Sequence, residues 1–116
     1  MITHISRTSL RTLTRSGGDV AVVEALGRSY FDDGHIPGAH NLPHDSSDVT
    51  IAAVLPDRSR TVVVYCSNLA CQNSTILSRR LEQLGYTDVR EYDAGKQDWI
   101  EAGLPIESTP VPTPAR

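Results

Sequence analysis

The chain contains two cysteines, and their position is the first feature of the sequence that could support chemistry. Cys66 ends the apolar run VVVYC, and Cys71 follows five residues later, just before a helical pattern. A thiolate is a nucleophile and a metal ligand, and its pKa falls near a helix N-terminus or a cation. The pair is therefore compatible with a nucleophile, a redox couple or a metal site. It is also compatible with no chemistry, if Cys66 is a small buried apolar residue and Cys71 has no role.

A metal site is the weakest of these interpretations. Structural zinc usually needs four ligands, often arranged as two closely spaced pairs. The chain has one C-x4-C pair and four scattered histidines, which are His4, His35, His40 and His44. Pro43 disfavours a helix that would bring the last two histidines onto one face. We therefore predict that the protein holds no metal.

A cysteine-dependent phosphatase is also disfavoured, because such an enzyme needs a cation at the far end of its loop to bind phosphate. Gln72 occupies the position where those loops carry arginine, and no Arg or Lys lies between Cys66 and Asn73. Sulfur transfer through a cysteine persulfide needs a thiolate, a cradle of backbone amides and access for a sulfur donor. Nothing in the loop contradicts that third chemistry.

Two elements must position Cys66. Three consecutive valines in Arg60–Cys66 predict a central strand that is buried on both faces. The segment Asn73–Tyr86 predicts the clearest helix of the chain, with Asn73 as N-cap and Gly85 at its end. The buried stripe of this helix is predicted to comprise Ile76, Leu77, Leu81 and Leu84.

The remaining patterns alternate between the two kinds of element. Strands are predicted at 2–5, 19–26, 39–42 and 88–92, helical segments at 6–18, 45–56 and 95–105, and a loop or short helix at 27–33. Ser6 is the expected N-cap of the first helix, and Ser47 or Asp48 that of the helix at 45–56. Strands alternating with helices indicate an α/β fold with a parallel sheet, in which ligands bind beyond the carboxyl ends of strands. Cys66 lies at such an end.

The loop that follows Cys66 leads into a helix N-terminus. The first amides of a helix have no partner inside it, and the helix dipole adds partial positive charge there. If the loop curls around the Cys66 sulfur, its N–H groups form an anion-binding nest. We expect such a nest to stabilise a thiolate, a persulfide anion or an oxyanion substrate.

Composition narrows the class of protein. A length of 116 residues predicts one domain, for which we take 1–107, followed by a Pro-rich, flexible tail at 108–116. A net charge of -3 argues against nucleic acid as a partner. No signal peptide or membrane-spanning apolar run is apparent, so we expect a cytoplasmic protein with reduced thiols and no membrane partner. The sequence does not predict an oligomeric state.

Three stretches, in this order, resemble the rhodanese-like family, and the likeness spans about Ile5 to Glu107. They are YFDDGHIPGAHNLP, TVVVYCSNLACQNSTILSRRLEQLGYTDVREYDAG and DWIEAGLPIE. The GHIPGA motif and the Trp followed by AGLP are specific in combination. The resemblance implies a small parallel sheet of about five strands, flanked by helices on both faces.

The resemblance also implies a function and its residues. Cys66 would be the persulfide-forming nucleophile of a sulfurtransferase that takes sulfur from a small donor and gives it to cyanide, a thiol or a protein acceptor, without a cofactor. The amide cradle would be formed by Ser67, Asn68, Leu69, Ala70, Cys71, Gln72 and Asn73. The rival hypothesis is a non-catalytic redox-sensing or binding module that uses a reversible Cys66–Cys71 disulfide.

Four departures from the family pattern affect these expectations. Glu24-Ala25-Leu26 keeps the carboxylate of the family's Asp-x-Arg but lacks its arginine, and Ala94-Gly95 replaces a Gly-Gly pair. The active loop is longer, with Ser74 eight residues beyond Cys66, and it carries no cation. The absent cation disfavours dianionic thiosulfate as the natural donor. The neutral loop is more similar to rhodanese-like domains that have a second loop cysteine.

Three further residues receive alternative roles. Cys71 is a candidate resolving thiol, a more exposed reactive thiol, or a residue without a role. His35 is expected to hydrogen-bond the backbone and fix the turn at 34–39, the alternatives being contact with an acidic substrate or proton donation. Glu24 is expected to support a loop, for example by accepting hydrogen bonds from backbone amides.

Overall fold

A computed structural model describes residues 2–17 and 19–108 of the chain. Its five strands are β1 (Thr3–His4), β2 (Val20–Glu24), β3 (His40–Asn41), β4 (Thr61–Tyr65) and β5 (Asp88–Tyr92). Its five helices are α1 (Arg7–Arg15), α2 (Arg28–Asp33), α3 (Asp48–Val54), α4 (Asn73–Gln83) and α5 (Gly95–Glu101). Apart from Ser108, the predicted Pro-rich tail lies outside the described residues.

All strand pairs of the sheet are parallel, and the strand order is β1-β5-β4-β2-β3. The apolar valine strand β4 lies in the middle, paired over its whole length with β2 on one side and β5 on the other. The prediction of a parallel α/β sheet with a buried central strand is therefore confirmed.

The core consists of two layers, one on each face of the sheet. Val62 and Val64 point to the layer that contains buried residues of α3 and α4, while Val63 and Tyr65 point to the layer that contains α1, α2 and α5. Because successive strand residues face opposite sides, a strand buried on both faces needs apolar residues at every position. This requirement explains the uninterrupted valines.

Local capping explains how two of the helices begin. The Ser6 side chain accepts a hydrogen bond from the Ser9 amide, and the Ser47 side chain accepts one from the Thr50 amide. Each bond satisfies one of the free amides of a first helical turn. The predicted caps Ser6 and Ser47 are confirmed.

Two predictions about α4 are wrong. Asn73 is the first helical residue and not its cap; Gln72 precedes it with helical backbone angles (φ -97, ψ -3) and makes no capping side-chain bond. The loop thus enters the helix already turned, whereas a capping side chain needs extended backbone. Ile76 is 43% exposed, because Ser74 and Ser78 share the buried face with Leu77 and Leu81.

No helix within the described parts of the chain is long and apolar enough to cross a membrane.

Candidate active site

Cys66 is the first residue after β4, at the carboxyl end of the central strand. It is 1% exposed, and the loop of residues 67–72 then leads to the N-terminus of α4. Cys66 therefore occupies the edge of a parallel sheet where ligands bind, but the loop covers its thiol in this state.

Groups of two residues, Cys71 and Ser74, contact the Cys66 sulfur. The thiol is 3.4 Å from Ser74 Oγ and 3.5 Å from the Cys71 carbonyl oxygen, and it can donate its proton to either. The Ser74 amide, in the first turn of α4, donates a hydrogen bond to the same sulfur. The sulfur is thus held between the end of the loop and the start of the helix.

The pKa of Cys66 is raised to about 11. Burial is the largest cause, and a hydrogen bond with the Cys71 side chain acts in the same direction. The Ser74 hydroxyl and amide act in the opposite direction but are outweighed. The sequence led us to expect a nest that stabilises the thiolate. In this state loss of solvent is the larger effect, so the resting form of Cys66 is the thiol.

Two amides of the predicted cradle are bonded within the loop and cannot donate hydrogen bonds to the Cys66 sulfur. The Ala70 amide donates to Asn68 Oδ1 at 2.9 Å, and the Cys71 amide donates to the Asn68 carbonyl at 3.1 Å. These bonds form a turn within the loop, so both amides would have to be released before they could bind an anion on Cys66. The amide that does bind the sulfur belongs to Ser74, one residue beyond the predicted cradle.

The N-terminus of α5 holds the beginning of the loop. The Lys96 amide donates to the Cys66 carbonyl and the Gln97 amide to the Ser67 carbonyl, each at 2.8 Å. Gly95 packs so closely that an added Cβ would lie 2.7 Å from the Cys66 carbonyl oxygen and 2.8 Å from the Asn68 amide nitrogen. Its φ of +75° is also one that glycine adopts readily. Glycine is therefore required where α5 meets the loop.

Cys71 lies on the outer side of the site. It is half-buried, its thiol is free, and its side chain is within hydrogen-bonding reach of the Cys66 thiol. Leu69, near it in the loop, is 75% exposed. The two thiols are therefore neighbours, with Cys71 the more accessible of the pair.

Glu24 is buried at the end of β2, next to the end of β4. One carboxylate oxygen, Oε1, accepts a hydrogen bond from the Tyr65 hydroxyl at 2.9 Å and lies 3.0 Å from Lys96 Nζ. Within the described residues, Oε2 has no hydrogen-bond partner. These partners are side chains and not the backbone amides that we expected, and the supporting role of Glu24 stays a prediction.

The ion pair with Glu24 neutralises the charge of Lys96. Its ammonium group also donates to the carbonyls of Gly34 at 2.7 Å and Tyr30 at 3.0 Å. The Tyr65 hydroxyl in turn accepts a hydrogen bond from the Ile36 amide at 3.0 Å. This network joins β2, β4, α5 and the turn at 34–39, and it neutralises the one lysine close to the active loop.

His35 is buried and lies in that turn. Its Nδ1 donates to the Phe31 carbonyl at 2.8 Å, its ring stacks on the Phe31 ring at 3.8 Å, and its backbone pairs with Glu107. The expected hydrogen bond to the backbone is present. The side chain ties α2 to the C-terminal segment of the domain.

A cleft of about 380 Å³ opens between the loop and α5. Its lining comprises Asn68, Leu69, Ala70, Ala94, Gln97, Asp98 and Glu101. The Asp98 carboxylate is bound by Arg7 at 2.9 Å, whereas Glu101 accepts a hydrogen bond from the neutral Gln97 amide at 3.1 Å. The cleft beside the active loop is therefore neutral to acidic in character.

Sequence analysis did not assign a role to Glu91, which lies under the start of α4. Glu91 is 2% exposed, and its Oε2 accepts hydrogen bonds from Ser74 Oγ at 2.6 Å and Thr75 Oγ1 at 2.8 Å. A signal was present: alternation along DVREY puts Glu91 on the same face as the buried Val89. A carboxylate at an inward position next to the end of a strand indicates a partner inside the protein.

Among the residues described by the structure, no group of three or more His, Cys, Asp and Glu side chains is placed to hold a metal ion.

Comparison with known proteins identifies the class to which this fold and loop belong. The model of the rhodanese-like domain family matches residues 6–102. The chain therefore belongs to the rhodanese-like domain family.

Two curated relatives show how this domain occurs elsewhere. The thiosulfate sulfurtransferase GlpE of Shewanella oneidensis is 31% identical over 99 residues, which cover 85% of this chain and 93% of that protein. An HTH-type transcriptional regulator of Mycobacterium tuberculosis is 33% identical over 98 residues, covering 84% of this chain. That match covers only 42% of the regulator, so this chain corresponds to less than half of that protein.

Solved structures share the fold. The BH2092 protein of Bacillus halodurans superposes with a TM-score of 0.84 at 22% identity, over 92% of this chain and 77% of that one. The rhodanese-like domain of the Anabaena Alr3790 protein superposes with a TM-score of 0.78 at 26% identity, over 100% of this chain and 89% of the other.

Proposed function

We propose that the protein is a sulfurtransferase that moves a sulfane sulfur through a persulfide on Cys66. The observation that carries this proposal is the position of Cys66, at the carboxyl end of β4 with the first turn of α4 against its sulfur. Membership of the rhodanese-like family supports it, as does a relative named as a thiosulfate sulfurtransferase.

The proposed reaction has two displacement steps and no net oxidation. In the first, the Cys66 thiolate attacks the outer sulfur of the donor; the donor's sulfur bond breaks and its remaining group leaves with the electron pair. In the second, cyanide, a thiol or a protein acceptor attacks the terminal sulfur of the persulfide. The bond to Cys66 then breaks and the thiolate returns. Neither step requires a cofactor.

Access to Cys66 requires the loop to move. The Cys71 carbonyl and side chain cover the sulfur, and the Ala70 and Cys71 amides are bound to Asn68. Displacement of Cys71 would expose the thiol and release these amides toward the site. Backbone N–H groups aimed at a persulfide anion supply electrostatic stabilisation once solvent is excluded.

The donor class follows from the charges around the cleft. Lys96 is neutralised by Glu24, and Glu101 adds negative charge at the entrance. A dianion such as thiosulfate is repelled there, whereas a hydropolysulfide or an organic persulfide carries less charge. We therefore assign persulfide or polysulfide sulfur as the preferred donor, and a thiol or a protein thiol as the preferred acceptor.

Intact-mass measurement after incubation with polysulfide or thiosulfate tests the proposal. The reduced protein should gain one sulfur atom, more readily from polysulfide, and lose it on treatment with cyanide. Cys66→Ser should gain none, whereas the matched Cys71→Ser variant should still gain sulfur because the persulfide forms on Cys66. Absence of any gain from both donors, in protein whose thiols are shown to be reduced, would contradict sulfur transfer.

The second candidate function is a redox-sensing or binding module, and the contact between the two thiols favours it. A mild oxidant such as a peroxide would accept two electrons as Cys66 and Cys71 lose their protons and form a disulfide. Loss of two hydrogens under oxidant, combined with no sulfur gain from any donor, would support this function in place of transfer.

A further inference from the structure

The buried carboxylate of Glu91 connects Cys66 to the edge of the sheet. One of its oxygens, Oε2, accepts bonds from Ser74 and Thr75, and the other, Oε1, lies 3.4 Å from Nε2 of the exposed His4 on β1. Ser74 Oγ also lies 3.4 Å from the Cys66 sulfur. A continuous path of side-chain contacts therefore runs from the thiol through Ser74 to Glu91 and His4.

The directions of these hydrogen bonds follow from the number of protons available. A serine hydroxyl has one proton and two acceptor sites, and a carboxylate can only accept. At 2.6 Å, the Ser74 proton is committed to Glu91. Toward Cys66 the Ser74 oxygen can then only accept, so the bond between them is complete only if the sulfur carries a proton.

We propose that Glu91 is a positioning residue that, through Ser74, holds Cys66 as a thiol until a sulfur donor is taken up. The part that concerns uptake rests on the proposed sulfur transfer. Formation of the thiolate releases the Cys66 proton and requires the Ser74 hydroxyl to turn from Glu91 toward the sulfur. Thr75 remains bonded to Glu91 when Ser74 turns, so the buried carboxylate is not left without a donor.

The groups facing Cys66 act on its pKa in both directions. The Ser74 hydroxyl lowers that pKa when it donates to the sulfur, and Glu91 opposes this by holding the Ser74 proton. Cys71 faces the thiol from the loop and, like burial, raises its pKa. His4 faces Glu91 from β1, and α4 contributes the Ser74 amide to the sulfur. Lys96, the lysine close to the loop, is bound to Glu24. Among the described residues, no cation contacts the sulfur to compensate for Glu91.

The test is the pH profile of Cys66 alkylation by iodoacetamide, followed by intact mass in the Cys71→Ser background. Glu91→Gln removes the charge at nearly constant size. It should lower the midpoint of the profile by about one pH unit and speed alkylation at pH 7.5 about tenfold. Glu91→Met removes the oxygen that accepts the Ser74 proton. It should lower the midpoint by at least as much as Glu91→Gln does. An unchanged or raised midpoint in the variants overturns the proposal.

Two controls show whether Glu91 acts through Ser74. Thr75→Val removes the hydroxyl that stays on Glu91 when Ser74 turns, so it should leave the midpoint unchanged or raise it, and a lowered midpoint would contradict the proposal. In a Ser74→Ala background, Glu91→Gln should lose most of its effect. An equal shift with and without Ser74 would mean that the charge acts directly through space, which overturns the assigned role.

Alkylation does not depend on sulfur transfer, so this experiment can succeed where the sulfur-loading measurement fails. If both succeed, Glu91→Gln should also load sulfur faster at pH 7.5, about in proportion to its thiolate fraction. A faster alkylation without faster loading would confine the role of Glu91 to the protonation of the resting thiol and overturn its part in donor uptake.

Discussion

The protonation of Cys66 is decided by competition between burial and the helix N-terminus. A helix N-terminus contributes a partial positive charge of about half an elementary charge, which favours the thiolate. Cys66 is 1% exposed, and the neighbouring Cys71 also disfavours negative charge on its sulfur. Burial is the larger effect, so the position of Cys66 at a strand end does not by itself make the thiol reactive at rest.

Replacing Cys71 should lower the pKa of Cys66. The Cys71 side chain raises that pKa from the ordinary value of 9.0 toward about 11, but burial is the larger cause. In Cys71→Ser the Cys66 midpoint should therefore fall below about 11 and stay above 9.0. Because a thiol becomes charged as it loses its proton, reactivity at neutral pH should rise. Ultraviolet absorbance of the thiolate during a pH titration measures this, and a midpoint above that of the wild type contradicts it.

The elements around the site show which features local sequence determines. Uninterrupted valines predicted β4, and Ser6 and Ser47 predicted two helix starts, because each depends on neighbours within a few residues. The failure at Asn73 has a different origin. The start of α4 contacts Cys66, eight residues before Ser74, and Glu91, 17 residues after it, and these contacts take the place of a local capping side chain.

The conformation of the active loop was not predictable for the same reason. The carbonyls of Cys66 and Ser67 accept hydrogen bonds from amides of α5, about 30 residues further along the chain. The amides of Ala70 and Cys71 donate to Asn68 within the loop. A sequence pattern identifies a loop and the residue that it carries, but not which of its amides remain free. The assignment of the cradle from Ser67 to Asn73 therefore stays a prediction.

Gly95→Ala should be more destabilising than its φ alone requires. A side chain at positive φ costs about 1–2 kcal/mol, and here the added Cβ would also lie 2.7 Å from the Cys66 carbonyl oxygen. Gly103→Ala is the matched control, since its φ is +74° and no other group lies within 4 Å of the added Cβ. Urea unfolding should show that Gly95→Ala exceeds the control by more than about 1 kcal/mol.

Equal losses in the two glycine variants would show that α5 does not press on the loop. If the contact is as tight as described, relief of the clash must move the loop away from α5. Faster alkylation of Cys66 in Gly95→Ala than in Gly103→Ala should accompany the larger loss of stability. This second readout separates a displaced loop from a general loss of folding.

At the scale of the whole molecule, strand order brings together the residues of the site. β1 is first in sequence but pairs with β5, the last strand, so His4 lies next to Glu91. The C-terminal segment returns to pair with His35, with Glu107 donating at 2.9 Å and accepting at 2.8 Å. A shared fold at 22% identity shows that this scaffold tolerates many sequences. Function on a shared fold depends on the side chains of each domain's own site.

Stability of the domain should depend on the face of α4 that the structure buries and not on the full apolar stripe in its sequence. Leu81 is completely buried among residues of β4 and β5, whereas Ile76 is 43% exposed. Leu81→Ala should lower the free energy of unfolding by about 2–5 kcal/mol, because it leaves a cavity against the sheet. Ile76→Ala should cost less than about 1 kcal/mol, since its side chain is already partly hydrated. Urea denaturation measures both losses of stability, and the m-values should stay unchanged. Comparable losses at the two positions would mean that α4 packs with Ile76 toward the sheet. Such a rotation of the helix would also carry Ser74 away from Cys66 and Glu91.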